Sequence, residues 1–169
     1  ERLLIDSLES LLRTNTKLVV ISHLLWNTGQ LLPISTVSQV LSMHPNHPYL
    51  LVDAAQSFAQ IPIHSAAPKA DIYAFTGHKW ACGPEGLGGV ALSSRVLNEG
   101  HPTIIGWRGL KNEGAIHMQQ SNAFHSDGRR FEIATSCVPL LAGLRSSLSL
   151  LAKEGSESTR LEKIQALSL

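Results

Sequence analysis

The sequence predicts an α/β fold: three layers, with a mostly parallel sheet flanked by helices. Three observations carry that expectation. Short apolar runs rich in β-branched residues recur at residues 17–21, 49–54, 71–75 and 90–92, in the manner of buried strands. Segments with apolar residues at helical spacing alternate with them. Turn formers fall between the two kinds of segment, at Asn46, Pro48, Pro62 and the glycines of 83–89.

Taken in order, Leu4, Leu8, Leu11 and Leu12 form an apolar stripe on a helix over residues 1–14. The run KLVVI (17–21) is the first strand, and a polar-tipped loop, 22–29, follows it. Residues 34–43 return to helix, with Pro33 in its first turn. The second strand is 49–54, followed by a short helix over 56–60 that Pro62 closes. Residues 71–75 are the third strand, and a glycine-rich turn leads to the fourth at 90–92. A helix over 138–151 stops at Gly155, and 157–169 begins another. The order strand, helix, strand argues for βαβ units. Residues 102–130 show little periodicity, and so long an irregular stretch reads as functional or as part of an interface.

Composition narrows the function. The chain has 169 residues, and its 14 Lys+Arg against 13 Asp+Glu leave a net charge of +1. That excludes a polybasic arm or an acidic tail, and no basic stripe interleaved with aromatics points to nucleic acid. Apolar content of 43% with 16% charged residues is globular composition. No run approaches the ~18 apolar residues of a membrane helix, and no secretory pattern opens the sequence. Two cysteines cannot build a disulfide framework, so the expected compartment is the cytoplasm. The length allows about one domain, and the chain starts and ends inside amphipathic patterns, as part of a longer protein would.

Polar residues gather where the strands end: Ser22-His23 after the first, Asp53 with Gln56 after the second, and Thr76-Gly77-His78-Lys79 after the third. In a parallel sheet those carboxyl ends share one edge, where ligands bind, so an Asp and a Lys there can face one ligand. Each residue also has a plainer reading. Asp53 can cap the segment that follows it. Lys79 can be a surface lysine with its stem on apolar groups. His78 alone reads as structural. The run GPEGLGG lacks the Gly-Lys-Ser/Thr of a phosphate loop and reads as a tight turn. Cys82 and Cys137 read as small core thiols.

Together, Asp53-Ala54-Ala55-Gln56-Ser57, Thr76-Gly77-His78-Lys79-Trp80, Gly83 to Gly89, Gly106-Trp107-Arg108-Gly109, Arg130 to Ser136 and Ser22 to Gly29 resemble the class V aminotransferase branch of the fold-type I pyridoxal phosphate (PLP) enzymes. The form is similar to the cysteine/cystine C–S lyases related to cysteine desulfurases. The resemblance implies that residues 1–155 are the PLP-binding large domain without its N-terminal part, and that 156–169 begin the connection to a C-terminal small domain. It implies that Lys79 holds PLP as a Schiff base, that Asp53 pairs with the ring nitrogen, and that Gln56 lies near the ring hydroxyl. Thr76 and His78 would contact the phosphate, Thr135 the phosphate of a partner subunit, and Asn27 the cofactor. Trp107 would wall the substrate site. The implied protein is a homodimer that acts on cysteine or cystine by α,β-elimination. The family's N-terminal phosphate loop and C-terminal domain have no counterpart here, so the isolated chain is expected to be inactive. A desulfurase, another class V aminotransferase, or a non-catalytic binding module on the same fold are the alternatives.

Overall fold

Four strands form one mixed sheet in the order β1–β2–β3–β4 in the computed structural model, which describes residues 2–112 and 124–168. They are β1 (Leu18–Ser22), β2 (Tyr49–Asp53), β3 (Ile72–Thr76) and β4 (Gly88–Leu92), each within two residues of an apolar run. β1 pairs parallel with β2, and β2 parallel with β3, while β3 pairs antiparallel with β4. The reversed sense of β4 follows from its link. Residues 77–87 are too few for the dozen-residue crossover that a parallel return needs, so the glycine-rich turn sends the chain straight back. Gly89 then lets the Phe75 ring lie over β4, because an added Cβ would stand 2.4 Å from Phe75 Cζ.

Helices α1 (Arg2–Leu11), α2 (Ile34–Met43), α3 (Ser94–Glu99), α4 (Val138–Lys153) and α5 (Glu157–Leu167) flank the sheet. α2 has the expected bounds, with Pro33 at its N-cap rather than in its first turn. The short helix expected over 56–60 does not form. Ala59 adopts a φ of 64°, which a right-handed helix cannot propagate. Successive turns replace it, with the Ser57 and Phe58 N–H groups donating to Ala54 O and those of Gln60 and Ile61 to Ser57 O. Among the described elements, β1–α2–β2 is therefore the one βαβ unit. Gly155, at a φ of 118°, follows the end of α4, and the Ser156 hydroxyl caps α5 by accepting from the Thr159 N–H. Of the irregular stretch 102–130, residues 113–123 lie outside the described residues.

Side chains alternate across the pleat. The register puts Val19, Ile21, Leu50, Val52 and Tyr73 on one face. That face is the core, where Leu50, Val52 and Tyr73 pack with Ile34, Val37 and Leu41 of α2, and Leu4, Ile5 and Leu8 of α1 join at the edge. Each such side chain, once fully buried, contributes about 1.5–3 kcal/mol. The other face carries Leu18, Val20 and Val90, all exposed. Among the described residues no helix is long and apolar enough to cross a membrane, and no group of His, Cys, Asp and Glu could hold a metal ion.

This asymmetry sets a measurable contrast. Leu50→Ala should lower unfolding stability by about 2–5 kcal/mol, whereas Val20→Thr, on the open face of a neighbouring strand, should change it by less than about 0.5 kcal/mol. Urea unfolding midpoints at a shared m-value check both.

Candidate functional site

Because β1, β2 and β3 are parallel, their carboxyl ends meet at one edge of the sheet. A cleft of about 260 Å³ opens there, lined by Ser22, Leu24, Trp26, Asp53, Ala55, Gln56 and Lys79. The end of β1 and the segment after it supply the first three, the end of β2 and the turn after it the next three, and the turn after β3 the lysine. Asp53, Gln56 and Lys79, singled out on different stretches of sequence, thus share one cleft. The other candidates do not line it. Thr76 ends β3, and its hydroxyl is buried with no hydrogen-bond partner among the described residues. His78 is exposed beside Lys79, Asn27 is exposed beside Trp26, and Thr135 is exposed ahead of α4. Trp107 opens a short 3-10 turn, Trp107–Gly109, with the Arg108 guanidinium 4.9 Å above its ring.

Asp53 ends an apolar strand, yet its side chain is exposed. It lies opposite Ser22 and Ala74, on the open face of the sheet. Oδ1 accepts from the Ala55 N–H at 2.9 Å, which turns the chain away from the sheet. The plain capping role and a ligand-facing role are therefore compatible in one carboxylate. Lys79 is also exposed. Its turn is held by backbone bonds from Cys82 N–H to Lys79 O (3.0 Å), Gly83 N–H to Gly77 O (2.8 Å) and Gly77 N–H to Leu87 O (2.8 Å). α4 braces the same turn: Ser147 Oγ donates to Cys82 O at 2.7 Å. Asp53 and Lys79 form no ion pair, with each other or with any described residue. A ligand can therefore engage a carboxylate and an ammonium in the cleft without first breaking a salt bridge.

Gln56 is oriented by a residue that sequence reasoning quoted but gave no role. Trp80 Nε1 lies 2.9 Å from Gln56 Oε1. An indole N–H can only donate, so the Gln56 oxygen is the acceptor, and its NH2 is left for other acceptors. Behind the strand ends lies a second missed feature. His23 Nδ1 is 2.9 Å from the Tyr73 hydroxyl, which is 3.1 Å from Ser57 Oγ. Burial lowers the His23 pKa and raises that of Tyr73, so the imidazole stays neutral and the phenol protonated at neutral pH. The pair Ser22-His23 marked this place in the sequence, but nothing local names Tyr73 as its partner fifty residues on.

The cysteines correct one expectation. Cys82 and Cys137 are both exposed. Cys82 sits in the turn at a φ of 53°, and Cys137 is the N-cap of α4, positions that face solvent rather than core. The arginines also have visible duties. Arg130 donates to Leu97 O and His125 O, a structural role. Arg129 pairs with Asp127, whose carboxyl it holds at about 2.

The profile of the family described as Aminotransferase class-V matches residues 1–168. A probable cysteine desulfurase of Mycolicibacterium paratuberculosis is 30% identical over 158 residues, 92% of this chain and 22% of that protein. A probable cysteine desulfurase of Pasteurella multocida is 30% identical over 148 residues, 88% of this chain and 34% of its own. Among solved structures, the cystine C–S lyase C-DES, in complex with its reaction product cysteine persulfide, superposes with a TM-score of 0.82 at 39% identity. The match covers 93% of this chain and 41% of that one. A C-DES mutant with glycine covalently linked to its PLP cofactor gives a TM-score of 0.83 at 38% identity, over 93% and 40% of the two chains. The chain therefore spans between 22% and 41% of the length of these proteins.

The buried imidazole generates a pH prediction. Because its folded pKa lies below the ordinary value of about 6.5, the unfolded chain takes up a proton below that pH which the fold refuses, and stability falls as pH drops. The urea midpoint should decline between about pH 7 and pH 5, and His23→Asn should flatten that decline while lowering the midpoint at neutral pH. An equally steep decline in the variant would contradict the assignment.

Proposed function

The chain belongs to the class V aminotransferase family, whose members are PLP-dependent enzymes, and we propose that it carries the Asp53–Gln56–Lys79 side of a PLP site. The enzyme on this reading is a C–S lyase that splits cysteine or cystine by α,β-elimination to pyruvate, ammonia and a sulfur product. The observation that carries the reading is the convergence of those three side chains on one cleft at the carboxyl ends of parallel strands.

The donor set suits PLP. A carboxylate fits a pyridinium nitrogen, an amide NH2 fits a ring oxygen, and a primary amine fits an aldehyde. The Thr76 hydroxyl is buried without a partner among the described residues, three positions before Lys79. When bound, PLP supplies an electron sink for the carbanion at the substrate α-carbon. Asp53, with one oxygen taken by the Ala55 N–H, has the other with which to hold the proton on the ring nitrogen. Gln56, with its oxygen occupied by Trp80, offers its NH2 to the ring hydroxyl. The Lys79 amine would hold the cofactor's aldehyde and, when free, would be the base at the substrate α-carbon. Thr76 and His78 bind the phosphate, Thr135 reaches the phosphate of a partner subunit in a homodimer, and Trp107 walls the substrate site. Asn27 serves the cofactor from the loop whose Trp26 lines the cleft. In the overall balance the Cβ–S bond breaks with its electron pair going to sulfur. Cystine and water give pyruvate, ammonia and cysteine persulfide; cysteine and water give pyruvate, ammonia and hydrogen sulfide.

Desulfuration would need an enzyme thiol to accept the sulfur. Cys82 and Cys137 are exposed, but neither lines the cleft. C-DES also shares 39% identity with this chain, against 30% for the two desulfurases. The similarity to C-DES supports elimination.

Given cystine, the full-length protein should release pyruvate. Alanine instead would make it a desulfurase, and the absence of both, with no visible Schiff-base band, would leave a binding module. Lys79→Ala should abolish that band and cut turnover at least about a hundredfold. Trp80→Phe, measured by PLP titration, should weaken cofactor binding by about three- to tenfold with an unchanged far-UV circular dichroism spectrum.

A further inference from the structure

We propose that Tyr73 is a positioning residue for this site: its hydroxyl, bonded to His23 on one side and Ser57 on the other, holds the turn that carries Asp53 and Gln56 in the orientation a bound PLP requires. The inference rests on the PLP reading above and extends it to residues that touch neither cofactor nor substrate.

Tyr73 stands opposite Val52, so its side chain falls on the core face, while Asp53, one residue on, falls on the open face. Tyr73, His23 and Ser57 are 2%, 4% and 0% exposed. None of them lines the cleft. Yet two of them are bonded in sequence to residues that do: His23 follows Ser22, and Ser57 follows Gln56. The backbone ties the same places together. The His23 N–H donates to Asp53 O at 2.9 Å, and the Ala54 N–H donates to Ala74 O at 2.7 Å. Past Asp53, the Ser57 and Phe58 N–H groups close the turn onto Ala54 O, and the Phe58 ring stacks on Phe75 of β3 with centroids 3.8 Å apart. Ser57 Oγ to Tyr73 adds the directional, hydrogen-bonded link from this turn to β3.

Packing alone does not account for the hydroxyl. A Phe would fill the same volume, and an Ala or a Leu could stand at the neighbouring positions without polar atoms. Burying three polar side chains costs desolvation that apolar residues avoid, and a buried network is directional where apolar packing is not. Both proton orders satisfy the Tyr73 oxygen twice. In one, Ser57 donates to Tyr73 and Tyr73 to a neutral His23. In the other, His23 donates to Tyr73, Tyr73 to Ser57, and Ser57 to Ala54 O, 3.4 Å away. Either way Ser57 is held to β3 and, through His23, to β1, so the three segments that wall the cleft move as one unit.

The test uses the full-length protein with Tyr73→Phe, Ser57→Ala and a core control, Val37→Ala on α2. Amide hydrogen exchange without cofactor, PLP affinity by titration, and thermal midpoints are measured for each. Tyr73→Phe should speed exchange of the Ser57 and Phe58 amides and weaken PLP binding, each by about three- to tenfold, with α2 exchange unchanged. Ser57→Ala removes the same link from the other side and should match it, which keeps the test decisive if one variant folds poorly. Val37→Ala should lower the thermal midpoint at least as much while leaving PLP affinity within about twofold of wild type. Wild-type exchange at Ser57 and wild-type PLP affinity in both hydroxyl variants would overturn the proposal, as would equal PLP weakening in Val37→Ala. If the wild-type protein itself forms no Schiff base with PLP, the cofactor reading fails first, and exchange still reports whether Tyr73 tethers the turn.

Discussion

Everything at the candidate site depends on pleat parity in three parallel strands. Successive residues of a strand face opposite sides, and parallel pairing in this register sets Ser22, Asp53 and Ala74 across from one another, with Ile21, Val52 and Tyr73 one step behind. In the inner set Val52 and Tyr73 are buried and Ile21 is half-buried, and these side chains belong to the core shared with α2. Of the outer set, at the same edge, Ser22 and Asp53 line the cleft. A slip of one residue in β2 would exchange Val52 and Asp53 between core and cleft, so the apolar pattern that stabilises the sheet also enforces the position of the carboxylate.

The electrostatics of the edge follow from its exposure. A carboxylate and an ammonium buried without partners would be expensive. At the rim of the sheet Asp53 and Lys79 are both exposed to water, and neither is committed to an ion pair among the described residues. Rigidity comes instead from main-chain bonds in the two turns and from neutral side-chain bonds: Trp80 on Gln56, Ser147 on the carbonyl of Cys82, and Tyr73 between His23 and Ser57. The division of labour is physical. Neutral groups set the geometry, the Tyr73 network from buried positions and Trp80 from the surface, while Asp53 and Lys79 stay free for a ligand.

Much of this was legible in the sequence because it is periodic or local. The four strands and α2 announce themselves by apolar spacing, and the trio Asp53, Gln56 and Lys79 by position at strand ends. The failures have specific causes. Ala59 is a strong helix former on its own, so nothing near it signals the left-handed φ that breaks the 56–60 segment. The antiparallel sense of β4 lay in the length of its link rather than in its residues. Cys82 and Cys137 looked like core thiols by composition, but turns and helix starts expose what they carry. In the aperiodic loop after β1, no pattern tells Asn27 from Trp26, and Trp26 is the one on the cleft wall. The bonds Trp80–Gln56 and Tyr73–His23 join residues 24 and 50 positions apart, and only the assembled sheet brings them together.

The central claim is that one amine, at the turn after β3, captures the cofactor's aldehyde. It is tested most directly by incubating the full-length protein with PLP, reducing with borohydride, and locating the added mass by peptide mapping. The account predicts a single stable adduct, on Lys79. An adduct confined to Lys69, Lys111 or Lys153, or none at all on protein shown to be folded, would contradict it.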